Sequence, residues 1–206
     1  MKRISKQIVK EDLYTATILR EEYTRFLQTY KGRRLTIEKT GLPLRHQNPP
    51  EDITENIVKF IIHNYEGDKT CKWGKSIGVA GDLISDMYVK PIEVKAFTSD
   101  GPSSFGPNKK FAVIYFLDMR KWLEDTFTLW KINVNDESGA WQQVKMNKTQ
   151  TNEEQCLEKR RPHISWDRLY PQLQDHTTKI YEGSFENIFK DENEDEIMTL
   201  KSLSID

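Results

Sequence analysis

Residues 81–97 read GDLISDMYVKPIEVKAF. Three side chains there, Asp82, Glu93 and Lys95, have the types and spacing to do chemistry. Residues two apart on a strand share a face, so Glu93 and Lys95 project together while Ile92, Val94 and Ala96 face apolar packing. Burying either charge without a partner is costly, so each must be paired, hydrated or bound to an ion. An aspartate ending the preceding segment brings its carboxylate towards Glu93 across a hairpin. Two carboxylates held close repel, and a divalent cation relieves the repulsion. Oxygen ligands without His or Cys suit a hard ion such as Mg²⁺, which keeps waters and accepts a phosphate oxygen. An adjacent ammonium can orient or deprotonate such a water and offset charge developing on phosphate.

The chemistry implied is metal-assisted hydrolysis of a phosphodiester by in-line attack of water. The bland alternative is a solvated strand with an Asp–Lys or Glu–Lys cross-strand pair. Against it, Glu93 is the only one of 32 acidic residues followed two positions later by Lys, and it sits inside an apolar run. Asp86 rivals Asp82, although it stands in SDMY, where turn chemistry alone expects Asp.

Elements that would position these residues are legible in the pattern. Residues 8–30 read as one or two helices with Leu13, Ala16, Leu19 and Tyr23 facing inward. Gly32, Gly41 and three prolines make residues 31–50 a loop or extended arm. A helix follows, capped by Asn48 with Pro49 and Pro50 in its first turn and Glu51 closing a capping box. Its two apolar stripes, one of Ile53, Ile57, Phe60 and Ile61 and one of Val58 and Ile62, place it between layers. SIGVAGDLIS and MYVKPIEVKAF form a strand hairpin, the second strand interrupted or begun at Pro91. FAVIYFLDM is a strand covered on both faces and DTFTLWKINV another. Residues 135–165 read as irregular, SWDRLYPQL as a short helix stopping at Pro171, and 190–206 as an acidic tail. The expected fold class is α/β (mixed α+β), with a central mixed β-sheet flanked by helices.

The 206 residues suit a single domain. A net charge of −1 argues against a protein that simply coats DNA but leaves room for a basic cleft. Cys71 and Cys156 form no zinc or redox motif. The N-terminus has no apolar signal segment and no run spans a bilayer, so the expected location is cytoplasmic. His46, His63, His163 and His176 lack metal spacing, and no GxxxxGK[ST] phosphate loop is present. Trp73, Trp122, Trp130 and Trp141 read as core.

With these residues in view, GDLI…PIEVKAF resembles the active-site hairpin of the PD-(D/E)xK nuclease superfamily, Gly81 standing where the motif name has Pro. The likeness covers residues 48–120, and the order of elements agrees. It implies a restriction-endonuclease-like core and one or two Mg²⁺ bound by Asp82, Glu93 and the main-chain carbonyl of Val94. Lys95 would position or activate the attacking water. Many members add a carboxylate from the preceding helix, and Glu55 is the matching candidate for a second metal or a water-mediated contact. Its alternative is a surface ion pair with Lys59 four residues on.

Within that superfamily the chain most resembles a type II restriction endonuclease cutting double-stranded DNA at a short specific sequence. The loop after the catalytic strand offers Ser103, Ser104, Asn108, Lys109 and Lys110 to DNA, and KRRPHISWDR offers Lys159, Arg160, Arg161 and Arg168. A palindromic target implies a homodimer, and a cognate methyltransferase is expected as a genetic neighbour, not a subunit. Two rival readings stand beside it. One is a repair nuclease or junction resolvase with the same site; the other is a DNA-binding or assembly protein whose Asp82, Glu93 and Lys95 form only an ion-pair network.

Overall fold

Helix α1 (Ala16–Thr40) begins where the Thr15 hydroxyl accepts the Ile18 N–H. It ends at Gly41, whose left-handed φ of 67° lets its N–H return to the Ile37 carbonyl at 2.8 Å. The computed structural model describes residues 11–44 and 48–189, so the acidic tail and His46 lie outside the described residues. The helix overturns the loop expected from residue 31. Gly32 meets open space, and its cost of about 1 kcal/mol is outweighed by the good helix formers Arg33, Arg34 and Leu35 that follow. Leu19 and Tyr23 are buried as the stripe requires, but Leu13 precedes the helix and is 70% exposed.

Helix α2 (Glu51–Ile61) starts after Pro50, with no side-chain cap. The capping role expected of Asn48 is therefore corrected: its Oδ1 accepts the Thr98 hydroxyl instead, and Glu51 and Asp52 meet the positive end of the helix. Ile57, Val58 and Ile61 are fully enclosed, each contributing about 2 kcal/mol by burial. Both apolar stripes are covered, so the helix does lie between layers.

The strands β1 (Lys72–Trp73), β2 (Leu83–Ile84), β3 (Ile92–Phe97), β5 (Val113–Asp118), β6 (Phe127–Ile132) and β8 (Thr177–Gly183) form one six-stranded mixed sheet. Their order is β1-β2-β3-β5-β6-β8, and only the β3–β5 pairing is parallel. A parallel pair needs a crossover, and residues 98–112 supply it. That segment carries β4 (Ser103–Ser104), which pairs outside the sheet with β7 (His163–Ile164).

Strand β5 is covered on both faces, as its apolar run foretells. Val113, Tyr115 and Leu117 belong to a core with α1 and α2, and Ile114 and Phe116 to a second core. The second core draws on α4 (Gly139–Gln142), β7 and α6 (Trp166–Leu173) through Trp141, Ile164, Leu169 and Leu173. The expectation of an irregular 135–165 is thus only partly right. Ser138 caps α4, and Thr151 with Glu154 forms a capping box on α5 (Asn152–Leu157). Their apolar residues follow no period, because short helices and loops bury them one at a time. Pro171 lies inside α6 rather than ending it; only two residues follow it, so one lost backbone bond is tolerated.

Candidate active site

The hairpin of β2 and β3 is held by a single register pair, Leu83 with Ile92. Beyond it β2 diverges, and the Asp82 side chain occupies the edge of β3: its Oδ2 accepts the Val94 N–H at 2.9 Å. In an extended strand the N–H and C=O of one residue point to the same edge. The Val94 carbonyl therefore faces the Asp82 side. Gly81 makes the approach feasible, with φ of 120° and Pro91 Cβ only 2.5 Å from where a Cβ would stand. A proline could not take this φ, and a side chain here would meet Pro91, so the backbone requires glycine.

Glu93 projects from the opposite face to Val94 and is 1% exposed. Its Oε1 lies 2.5 Å from Lys95 Nζ, and its Oε2 lies 2.7 Å from Lys109 Nζ. Although close, Oε2 has no partner in hydrogen-bonding alignment. Lys109 Nζ also reaches Asp82 Oδ1 at 3.1 Å, so one ammonium bridges the two carboxylates. Burial works against the charge on Lys109, but the Glu93 and Asp82 carboxylates outweigh it and hold its pKa up. The Lys95 ammonium stands over the Phe105 ring, 5.4 Å from its centre.

Glu55 is buried, which overturns its surface alternative. Its Oε2 accepts the Trp73 indole N–H at 2.6 Å and its Oε1 lies 3.3 Å from Lys75 Nζ. Lys59, the expected surface partner, turns instead to Asp12 at 3.0 Å and the Tyr14 carbonyl at 2.6 Å. Burial pushes the Glu55 pKa up, and Asp82 adds to the push while Trp73 and Lys75 counter it. Glu55 is thus near enough to feel Asp82. Asp86, the rival aspartate, is exposed in the turn, its N–H bonded to Thr70.

The crossover loop distributes its residues unevenly. Ser103 and Ser104 are half-buried in β4, and the Ser104 hydroxyl is a buried oxygen without a partner. Asn108 is exposed, and Lys110 pairs with Asp136 at 3.0 Å and Glu137 at 3.5 Å. Arg160, Arg161 and Arg168 line one cleft with His163, Asn147 and Asp100. Arg160 pairs with Glu158 at 2.8 Å, and Arg168 donates to the Met146 carbonyl. Lys159 is exposed with a φ of 57°. Lys109's seat between the carboxylates, and Trp73 and Lys75 beside Glu55, had no sequence signal, because each partner lies many residues away.

The described residues contain no cluster of three or more His, Cys, Asp or Glu side chains able to hold a metal. Asp82 and Glu93, which share one ammonium, offer a donor set of hard carboxylate oxygens, the kind that Mg²⁺ takes together with water. An ammonium already drawn between Asp82 and Glu93 marks the spot where their charge favours a cation. Cys71 and Cys156 are free thiols. No helix among the described residues is long and apolar enough to cross a membrane.

A family model described as Bsp6I restriction endonuclease matches residues 18–169, a span that contains Glu55, Asp82, Glu93, Lys95, Lys109 and the three arginines of the cleft. No curated protein and no solved structure matches the chain. Since the match takes in well over half of the 206 residues, the chain belongs to the Bsp6I restriction endonuclease family and is a nuclease of the restriction type.

Proposed function

We propose that the protein is a type II enzyme of the PD-(D/E)xK kind, which hydrolyses double-stranded DNA at a short specific sequence with Mg²⁺. The observation carrying this reading is the convergence of Asp82 and Glu93 on a single cationic atom, with Lys95 beside Glu93. Asp82, Glu93 and the Val94 carbonyl would hold the ion, and Glu55 would serve a second ion or a bridging water. When bound, the ion supplies positive charge to the phosphate and acidifies water. Lys95, fixed by Glu93 and Phe105, orients the attacking water and faces the phosphate. Asp82 keeps its geometry through the Val94 N–H. Burial of Glu93 excludes bulk water from one side of the site, which strengthens each charge interaction there.

The arginine cleft, which takes in His163 and Ile164 of β7, is the proposed place for backbone phosphates, with Asn108 and the two serines on the crossover. Residues 135–189 would then be the DNA-contacting part of one nuclease domain, whose catalytic core spans 48–134. A palindromic target would be cut by a homodimer, each copy cutting one strand. Family membership favours this over repair nuclease or assembly protein.

The test is incubation of the protein with plasmid or phage DNA in Mg²⁺ or EDTA, beside Lys95→Ala. Discrete Mg²⁺-dependent fragments, absent with the variant, are expected. A smear, or nicking only at branched structures, would replace restriction by repair; no cleavage with any divalent ion would remove the metal mechanism.

A further inference from the structure

We propose that Lys109 is a built-in counter-cation of the metal site. It holds Asp82 and Glu93 together in the metal-free protein and must leave when a divalent ion binds. This rests on the metal reading given above and adds a residue that sets the site's metal affinity.

The geometry carries it. Lys109 Nζ lies 3.1 Å from Asp82 Oδ1 and 2.7 Å from Glu93 Oε2, the two carboxylates that would ligate an ion. Ion and ammonium cannot both stand there. With Lys95 and Lys109 in place, the two carboxylates are already neutralised, so an arriving divalent ion repels one ammonium unless it withdraws. Lys95 sits on β3 and is tied to the other Glu93 oxygen at 2.5 Å. Lys109 comes from the crossover loop and is the more exposed of the two, its side chain 33% open against 21% for Lys95. It donates a hydrogen bond to Asp82 Oδ1, while its contact with Glu93 Oε2 is an ion pair without hydrogen-bond alignment.

The surroundings allow withdrawal without refolding. Phe105 and Phe111, each 2% exposed, anchor the loop on both sides of Lys109. The Phe105 N–H is further held by the Pro162 carbonyl at 2.9 Å. The backbone is therefore fixed while the four-carbon stem, one-third exposed, swings. Lys109 acts on the reaction through the metal ligands, and so is a positioning residue.

A competitor that must vacate weakens apparent affinity by the fraction of molecules in which it has left. If Lys109 is docked in about nine molecules of ten, its removal tightens ion binding about tenfold. The experiment is titration of the full chain with Mn²⁺, without DNA, followed by calorimetry or by the electron paramagnetic signal of free Mn²⁺. Wild type, Lys109→Met and Asp82→Asn are compared. Lys109→Met, which keeps the stem, should bind about tenfold more tightly and Asp82→Asn more weakly, a pairing that general damage to the site would not produce. In parallel, acetylation of Lys109 in the wild type, read by mass spectrometry, should rise when Ca²⁺ or Mn²⁺ is added. That measurement decides alone if the Met variant does not fold. Equal or weaker Mn²⁺ binding by folded Lys109→Met, or Lys109 labelling indifferent to the ion, overturns the counter-cation while leaving the metal site intact. Absence of Mn²⁺ binding to wild type and Lys109→Met alike removes the metal site and this inference with it.

Discussion

Lys109 and Lys110 are neighbours in the chain but serve two different clusters, each formally built of two carboxylates and two lysines. Lys109 joins Asp82, Glu93 and Lys95; Lys110 joins Asp136, Glu137 and Lys90. In the second cluster the Asp136 side chain, 6% exposed, has aligned donors on one oxygen and an ion pair on the other. Lys90 donates to its Oδ1 at 2.8 Å, the Phe111 N–H adds to it at 3.3 Å, and Lys110 faces Oδ2. Glu137 and Lys110 are open to water, Lys90 is about as exposed as Lys109, and the result is a clamp on the loop around Phe111. In the first cluster the buried carboxylate is Glu93, and one of its oxygens has no aligned donor. Equal formal charge thus conceals a difference: a loop N–H anchors Asp136 beside its lysines, whereas Glu93, 1% exposed, is matched by Lys95 and Lys109 and keeps a wholly buried oxygen without an aligned donor. Burial plus an incomplete partner set, more than charge density, distinguishes a site from a structural ion-pair network.

Neutralising Glu93 and Asp136 in turn should have opposite effects. Glu93→Gln should lower the Mg²⁺-dependent cleavage rate by about a thousandfold or more, as loss of an acid–base or metal-orienting group does. Its unfolding midpoint in urea should hardly move, because Lys95 and Lys109 are partly exposed and can hydrate. Asp136→Ala should do the reverse, costing about 2 kcal/mol of stability through the orphaned Phe111 N–H and lost ion pairs. The cleavage rate per folded molecule should stay within about threefold, the range of an indirect effect below 1 kcal/mol. Equal losses of activity in both variants would dissolve the distinction.

The same contrast shows what sequence carries and what it does not. Glu93 and Lys95 are legible because their relation is local: two apart on one strand, embedded in apolar residues. The period-two pattern of β3 and the unbroken apolar run of β5 likewise place both strands correctly. Helix α1 escaped its full length because Gly32 reads as a breaker, whereas in solvent it costs little. Lys109, Trp73 and Lys75 were opaque for another reason. Their partners are brought near by the parallel β3–β5 crossover and by β1, and no spacing in the chain encodes a contact made by a loop returning across a sheet. Glu55 lay between these cases: its helical angle put it at a stripe's edge, and only packing decided that it is buried.

Burial tends to raise the Asp136 pKa, but its bonds from Lys90, Lys110 and the Phe111 N–H more than offset this, and it lies below the ordinary carboxylate value. An unfolded aspartate titrates near about 3.9. Because the folded value is depressed, the stabilisation is fully present above that pH and is lost as pH falls through the folded value. Asp136→Asn should therefore flatten the acid limb of stability against pH, measured by urea unfolding between about pH 3 and 7. Asp12, also depressed, is pushed up by burial but held down more strongly by the Trp73 and Tyr14 N–H groups and Lys59. It should leave part of the limb in place. A limb unchanged in Asp136→Asn would assign acid sensitivity to Asp12 and the other carboxylates.

The smallest effect belongs to the neighbour itself. Lys110 is exposed, and its two partners are already shared with Lys90. Exposed pairs of this kind contribute little. Lys110→Ala should leave Mn²⁺ affinity within about twofold of wild type, where Lys109→Met changes it about tenfold. Binding of specific DNA in Ca²⁺, followed across salt concentrations, adds a second axis. Lys110 is already neutralised by Asp136 and Glu137, so the slope of log affinity against log salt should not change on its removal. A slope shallower by about one would mean that Lys110 gives up these carboxylates for a phosphate when DNA binds. The two adjacent lysines would then share one behaviour, each a counter-ion released by its proper ligand, and the clamp at Asp136 would become part of DNA recognition.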